Sequence, residues 1–188
     1  MNLTAEQLEQ IAGWSAVGEF ANCDPISDHI TPAVTRLQQF QRWRCCIPDW
    51  ERSNYYSLAL TPSIVWNDTA PHSEKHAIFI YLSRMVPIAA IGITKATGVS
   101  NCWGASPLQI DSIVDPTHGS DFLIDAALDS FAETIYEFAP RAFLLELTPV
   151  HIEPDCRYGC DERWERVFDI LFANCPSNWD NVTKQDAR

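Results

Sequence analysis

Asp121, Asp125, Asp129, Glu133 and Glu137 recur at every fourth position of the stretch DFLIDAALDSFAETIYE, and no lysine or arginine interrupts them. Carboxylates in such a row have three uses: a solvated helix face, an acid–base pair, or a surface that captures a cation. The spacing itself is unfavourable, because like charges at i,i+4 on a helix repel by about 0.2–0.5 kcal/mol per pair. Solvated faces usually avoid this by mixing Lys with Glu. On a wheel of about 100° per residue, with Asp121 at zero, the acids fall at roughly 0, 40, 80, 120 and 160°. Ile124, Leu128, Phe131, Ile135 and Phe138 cluster at roughly 260–340°, nearly opposite, so the apolar side is expected to dock and the acids to face outward. Glu133 and Glu137 would then sit near the negative end of the helix dipole, where acids are disfavoured. Phe122 and Tyr136 fall near 100 and 60° on the same wheel, among the acids. Aromatics ringed by charge match the anchor-and-rim layout of a protein–protein contact. An acid–base pair fits less well, since glycosidase carboxylates flank a cleft at about 5–10 Å and do not follow a convex outer face.

The segment HIEPDCRYGC holds His151, Cys156 and Cys160, a His-x4-Cys-x3-Cys string. Structural zinc needs two close ligand pairs, and here Cys156 with Cys160 makes one, with Cys175 or Cys102 as distant additions. Free thiols are the simpler reading, and neither a metal nor a cofactor is assigned. Active dithiols favour Cys-x-x-Cys over this spacing. Gly-x-Ser-x-Gly, the P-loop and Gly-x-Gly-x-x-Gly are absent. His29, His72, His118 and His151 stand in Pro- or Asp-bearing stretches, and a spatial pair such as Cys102 with His118 is the remaining nucleophilic option. Catalytic residues are therefore not assigned, and the chain is read as a non-enzyme.

One basic segment, Arg36 to Arg52, mixes Arg36, Arg42, Arg44 and Arg52 with Phe40, Trp43 and Trp50. Basic residues among aromatics can bind single-stranded nucleic acid. The whole-chain charge of −12 opposes that, and pairing with the protein's own acids is the better use of these arginines. The charge is also uneven. Between Lys95 and Arg141 lie seven acids, Asp111 and Asp115 in addition to the five above, and not one Lys or Arg. Such a surface repels nucleic acid and anionic membranes and draws basic partners.

These residues have to be held by a small fold. A chain of 188 residues, 46% hydrophobic and 20% charged, suits one globular domain. Its longest apolar run, MVPIAAIGI, is shorter than the ~20 residues a membrane helix needs. The N-terminus carries acids where a signal peptide needs positive charge, and the seven cysteines are an odd number, so a reduced, cytoplasmic protein is expected.

Thr4 to Val17 reads as a helix capped by Thr4 and Gln7, with Leu8, Ile11 and Ala12 inward. Thr31 to about Arg44 reads as a second, with Pro32 at its first position and Val34, Leu37 and Phe40 inward. Tyr55–Trp66, His76–Ser83 and Pro87–Lys95 read as strands, the second central and the third its hairpin partner. A loop with a short helical turn is expected over Gly98–Pro116, the longest helix over Ser120–Phe138, a strand over Ala142–Thr148 and a last helix from Asp161 with Trp164, Val167, Phe168 and Leu171 inward. Hence the expected architecture is a single α+β domain over residues 1–175, a small, mainly antiparallel sheet with helices packed against it, and a polar tail over 176–188.

The functional expectation is an acidic protein-binding inhibitor. Small acidic α+β proteins without catalytic motifs are often inhibitors of basic enzymes, and a bacterial immunity protein that neutralises a toxin, a nuclease for example, is the concrete version. Its partner-binding residues would be Asp121, Phe122, Asp125, Asp129, Glu133, Tyr136 and Glu137, extended by Glu153 and Asp155. A cysteine- or zinc-dependent enzyme around Cys102, His118, His151, Cys156 and Cys160, and an adaptor subunit of a larger complex, are the alternatives.

Overall fold

The run HAIFIYLS is apolar on both alternating faces, and a strand of that kind is stable only when each face is covered. The structure, a computed structural model that describes residues 3–17, 27–39, 43–46, 55–62, 75–96, 110–148 and 165–172, places it in the middle of a sheet. Among the described residues the strand order is β1 (Trp43–Cys46), β2 (Tyr55–Pro62), β3 (Lys75–Ser83), β4 (Ile88–Ala96) and β5 (Glu137–Phe138). Neighbours from β1 to β4 pair antiparallel, and β5 lies parallel to β4, with Ile88 beside Glu137. The fold is α+β, and the sheet is mainly antiparallel with one parallel edge.

Residue parity then divides the helices between the two faces. Phe79 and Tyr81 of β3 join Tyr55, Ile88 and Ala90 on one face, under α1 (Ala5–Val17), α4 (Arg141–Leu144) and α5 (Val167–Leu171). The rings of Tyr55 and Tyr81 stack there with centroids 4.4 Å apart. Ile78, Ile80 and Leu82 join Leu58, Leu60, Ala89 and Ile91 on the other face, under α2 (Ser27–Gln38) and α3 (Phe122–Phe131). Two apolar layers therefore enclose one sheet, and α3 carries part of the acidic row.

Local chemistry explains what sequence reading located. Thr4 and Gln7 form the reciprocal cap of α1: the Thr4 N–H donates to Gln7 Oε1 at 2.8 Å and the Gln7 N–H to Thr4 Oγ1 at 3.2 Å. Leu8, Ile11 and Ala12 are buried as expected. β3 and β4 form the expected hairpin, and Ile110–Ser112 is the expected short turn of helix, here a 3-10 turn.

Four expectations are corrected. The second helix begins at Ser27, so Pro32 lies inside it, and Trp43–Cys46 belongs to β1. Ile30 accounts for the early start. It extends the buried stripe of Ala33, Val34 and Leu37 by one turn toward the N-terminus, which offsets the hydrogen bond that proline removes. The Ser120–Phe138 helix stops at Phe131. Its last turn closes at Thr134, whose N–H and hydroxyl both donate to the Phe131 carbonyl, at 2.9 and 2.7 Å. That carbonyl is thereby engaged locally, as short hydroxyl side chains do at helix ends. Glu137 and Ala139 then donate to Pro87 and Ala89 and make β5.

Arg141–Leu144 is one helical turn where a strand was expected, and Leu147 forms an isolated bridge with Arg166. Apolar Phe143 and Leu144 are both buried by that turn, which an alternating strand would not do. Finally, Glu165 and Arg166 are non-helical, so the last helix starts at Val167 and not at Asp161. Asp169 fixes this start by accepting the N–H groups of Glu165 and Arg166 at 3.1 and 2.9 Å. The expected burial of Phe40 and Trp164 and the tail over 176–188 lie outside the described residues. No helix among the described residues is long and apolar enough to cross a membrane.

Candidate functional site

Because α3 ends at Phe131, seven residues before the expected end at Phe138, its acids do not form one stripe: Asp121, Asp125 and Asp129 belong to the helix, Glu133 to the turn after it and Glu137 to β5. The dipole conflict expected for Glu133 and Glu137 does not arise, since neither is helical. Asp121 is the N-cap, with Oδ1 accepting the Leu123 N–H at 2.8 Å. A carboxylate there also lies at the favourable end of the dipole. Replacing Asp121 by Ala is expected to destabilise the protein by about 1 kcal/mol, read as a lower urea midpoint with an unchanged m-value.

Asp125 is half-buried, and its Oδ1 accepts the Gly119 N–H at 2.8 Å, with His118 Nδ1 3.6 Å away. Gly119 has φ +82°, a conformation open to glycine without steric penalty, which lets the chain turn back over Asp125. Glu133 is exposed and meets Arg36 of α2, Nη1 to Oε2 at 2.6 Å. Exposed pairs of this kind contribute about 0–1 kcal/mol, so this one fixes orientation more than stability. The pairing of a basic-segment arginine with the protein's own acid is thus observed for Arg36. Arg42 and Arg52 lie outside the described residues.

Asp129 is exposed and, with Arg36, Gln39 and Ser130, lines an open cleft of about 380 Å³ between α2 and α3. Glu137 is exposed on β5, and Asp111 is exposed in the 3-10 turn. Asp115, also exposed, accepts the Arg141 backbone N–H at 2.8 Å and so caps α4 from 26 residues away. Sequence reasoning had no signal for that contact, because Asp115 and Arg141 meet only when α4 folds back beside the loop.

Phe122 is 66% exposed, an apolar ring on the acidic side as the wheel predicted. Tyr136 is not. It is 5% exposed, its ring packs edge-on to Phe131 and its hydroxyl donates to the Ser83 carbonyl at 3.1 Å. Its expected role as a surface anchor is withdrawn: the wheel placed it outside only because the helix was extrapolated past Thr134. Tyr136→Phe is expected to cost about 1 kcal/mol of stability, from the unpaired Ser83 carbonyl, and to leave any surface binding unchanged. Equilibrium unfolding of the variant measures this.

Comparison with protein-family models, curated proteins and solved structures returns no match. Glu153, Asp155, Cys102, His151, Cys156 and Cys160 lie outside the described residues. Among the described residues no group of three His, Cys, Asp or Glu side chains is placed to hold a metal ion. Positions 111–137 carry the row of acids, spread over the 3-10 turn, the loop after it, α3, the turn that follows and β5. Of these seven carboxylates six are exposed, and among the described residues Arg36 is the one arginine within ion-pair distance of any.

Proposed function

We propose that this protein binds a basic protein partner through the acidic surface of residues 111–137, and that it acts as an inhibitor. In its most specific form it is a bacterial immunity protein that neutralises a toxin, a nuclease being the best fit, by covering the cleft that would otherwise take phosphates. The observation that carries this reading is the unbalanced charge: seven carboxylates in 27 positions without one Lys or Arg among them. Asp111, Asp129 and Glu137 strengthen it. They are exposed, and among the described residues no donor is recorded on their carboxylates, in contrast to Asp115, Asp121, Asp125 and Glu133.

Mechanistically, the −12 net charge draws a cationic partner from a distance, and the acidic surface orients it on arrival. Electrostatic complementarity of this type raises association rates from about 10⁵–10⁶ to as much as about 10⁸–10⁹ M⁻¹s⁻¹ at low salt. Phe122, exposed at the start of α3, supplies apolar area inside the charged rim. A bound enzyme is inactive because its substrate site is occupied, with no chemical step needed.

The test is co-expression of this chain with the product of each neighbouring open reading frame. Growth should stop with the toxin alone and resume when the wild-type chain is present. The variant carrying Asp111→Lys, Asp129→Lys and Glu137→Lys should accumulate normally yet fail to restore growth. If no neighbouring product is toxic, or if the triple variant protects as well as the wild type, the proposal is wrong.

A further inference from the structure

We draw no further inference here: the strongest candidate, the cleft between α2 and α3 lined by Arg36, Gln39, Asp129 and Ser130, adjoins the acidic surface already described, and nothing among the described residues shows what would fill it.

Discussion

Phe131→Ala is expected to lower the unfolding free energy by about 3–5 kcal/mol, the range for removing a buried ring from a core that collapses only partly. Phe131 is 1% exposed at the last turn of α3. Its ring meets Tyr136 and Phe138 edge-on, at 6.4 and 5.7 Å between centroids, so it joins the helix to the turn and to β5. Removing it leaves a void at the point where three elements converge. A typical domain has only about 5–15 kcal/mol in total, so the loss is a large share of the stability. Urea denaturation followed by tryptophan fluorescence measures the loss. A change below about 1 kcal/mol, the size of an ordinary surface substitution or less, would mean that α3 does not pack on the sheet this way.

The second large effect is kinetic. Reversing Asp111, Asp129 and Glu137 to Lys changes the charge by two at each site and takes the total from −12 to −6. With a neutralised toxin as partner, the association rate should fall about 10- to 10³-fold at low ionic strength, the range over which steering acts. The difference from wild type should shrink as the Debye length drops from ~30 Å at 0.01 M salt to ~10 Å at 0.1 M. Glu6→Lys with Glu9→Lys is the control. Both positions are exposed on α1, which packs on the face of the sheet opposite α3, and they alter net charge without changing residues 111–137. Stopped-flow association at several salt concentrations separates the two sets. Equal slowing by both would assign the effect to overall charge and remove the proposed surface. Thermal melting of each variant checks that folding is intact, as expected from the exposure of all five sites.

The contrast between Asp129 and Tyr136 shows how far pattern carries. Both were placed outward by the same helical wheel, and only Asp129 is there, because the wheel holds for α3 and fails after Thr134. Ile135 failed in the other direction: assigned to the docked side, it is 43% exposed. An extra turn of helix and a chain reversal into β5 have nearly the same hydrophobic spacing. The choice between them was made by Pro87 and Ala89, whose carbonyls accept the N–H groups of Glu137 and Ala139. Nothing near Tyr136 in the sequence refers to those partners.

Sequence alone determined the elements whose stabilisation is local or periodic. Thr4 with Gln7 announced α1, the two-faced apolar run of β3 announced a central strand, and the lack of Lys and Arg between Lys95 and Arg141 announced the acidic surface. Only the tertiary structure decided where α3 stops, that Arg141–Leu144 turns as a helix, and which carboxylates the described residues engage. Each of those depends on a hydrogen bond or ion pair between residues far apart in the chain: Glu137 with Pro87, Arg141 with Asp115, Glu133 with Arg36. Backbone donors and carboxylates take whichever partner the fold brings within about 3 Å, and that is a property of chain packing, not of local spacing.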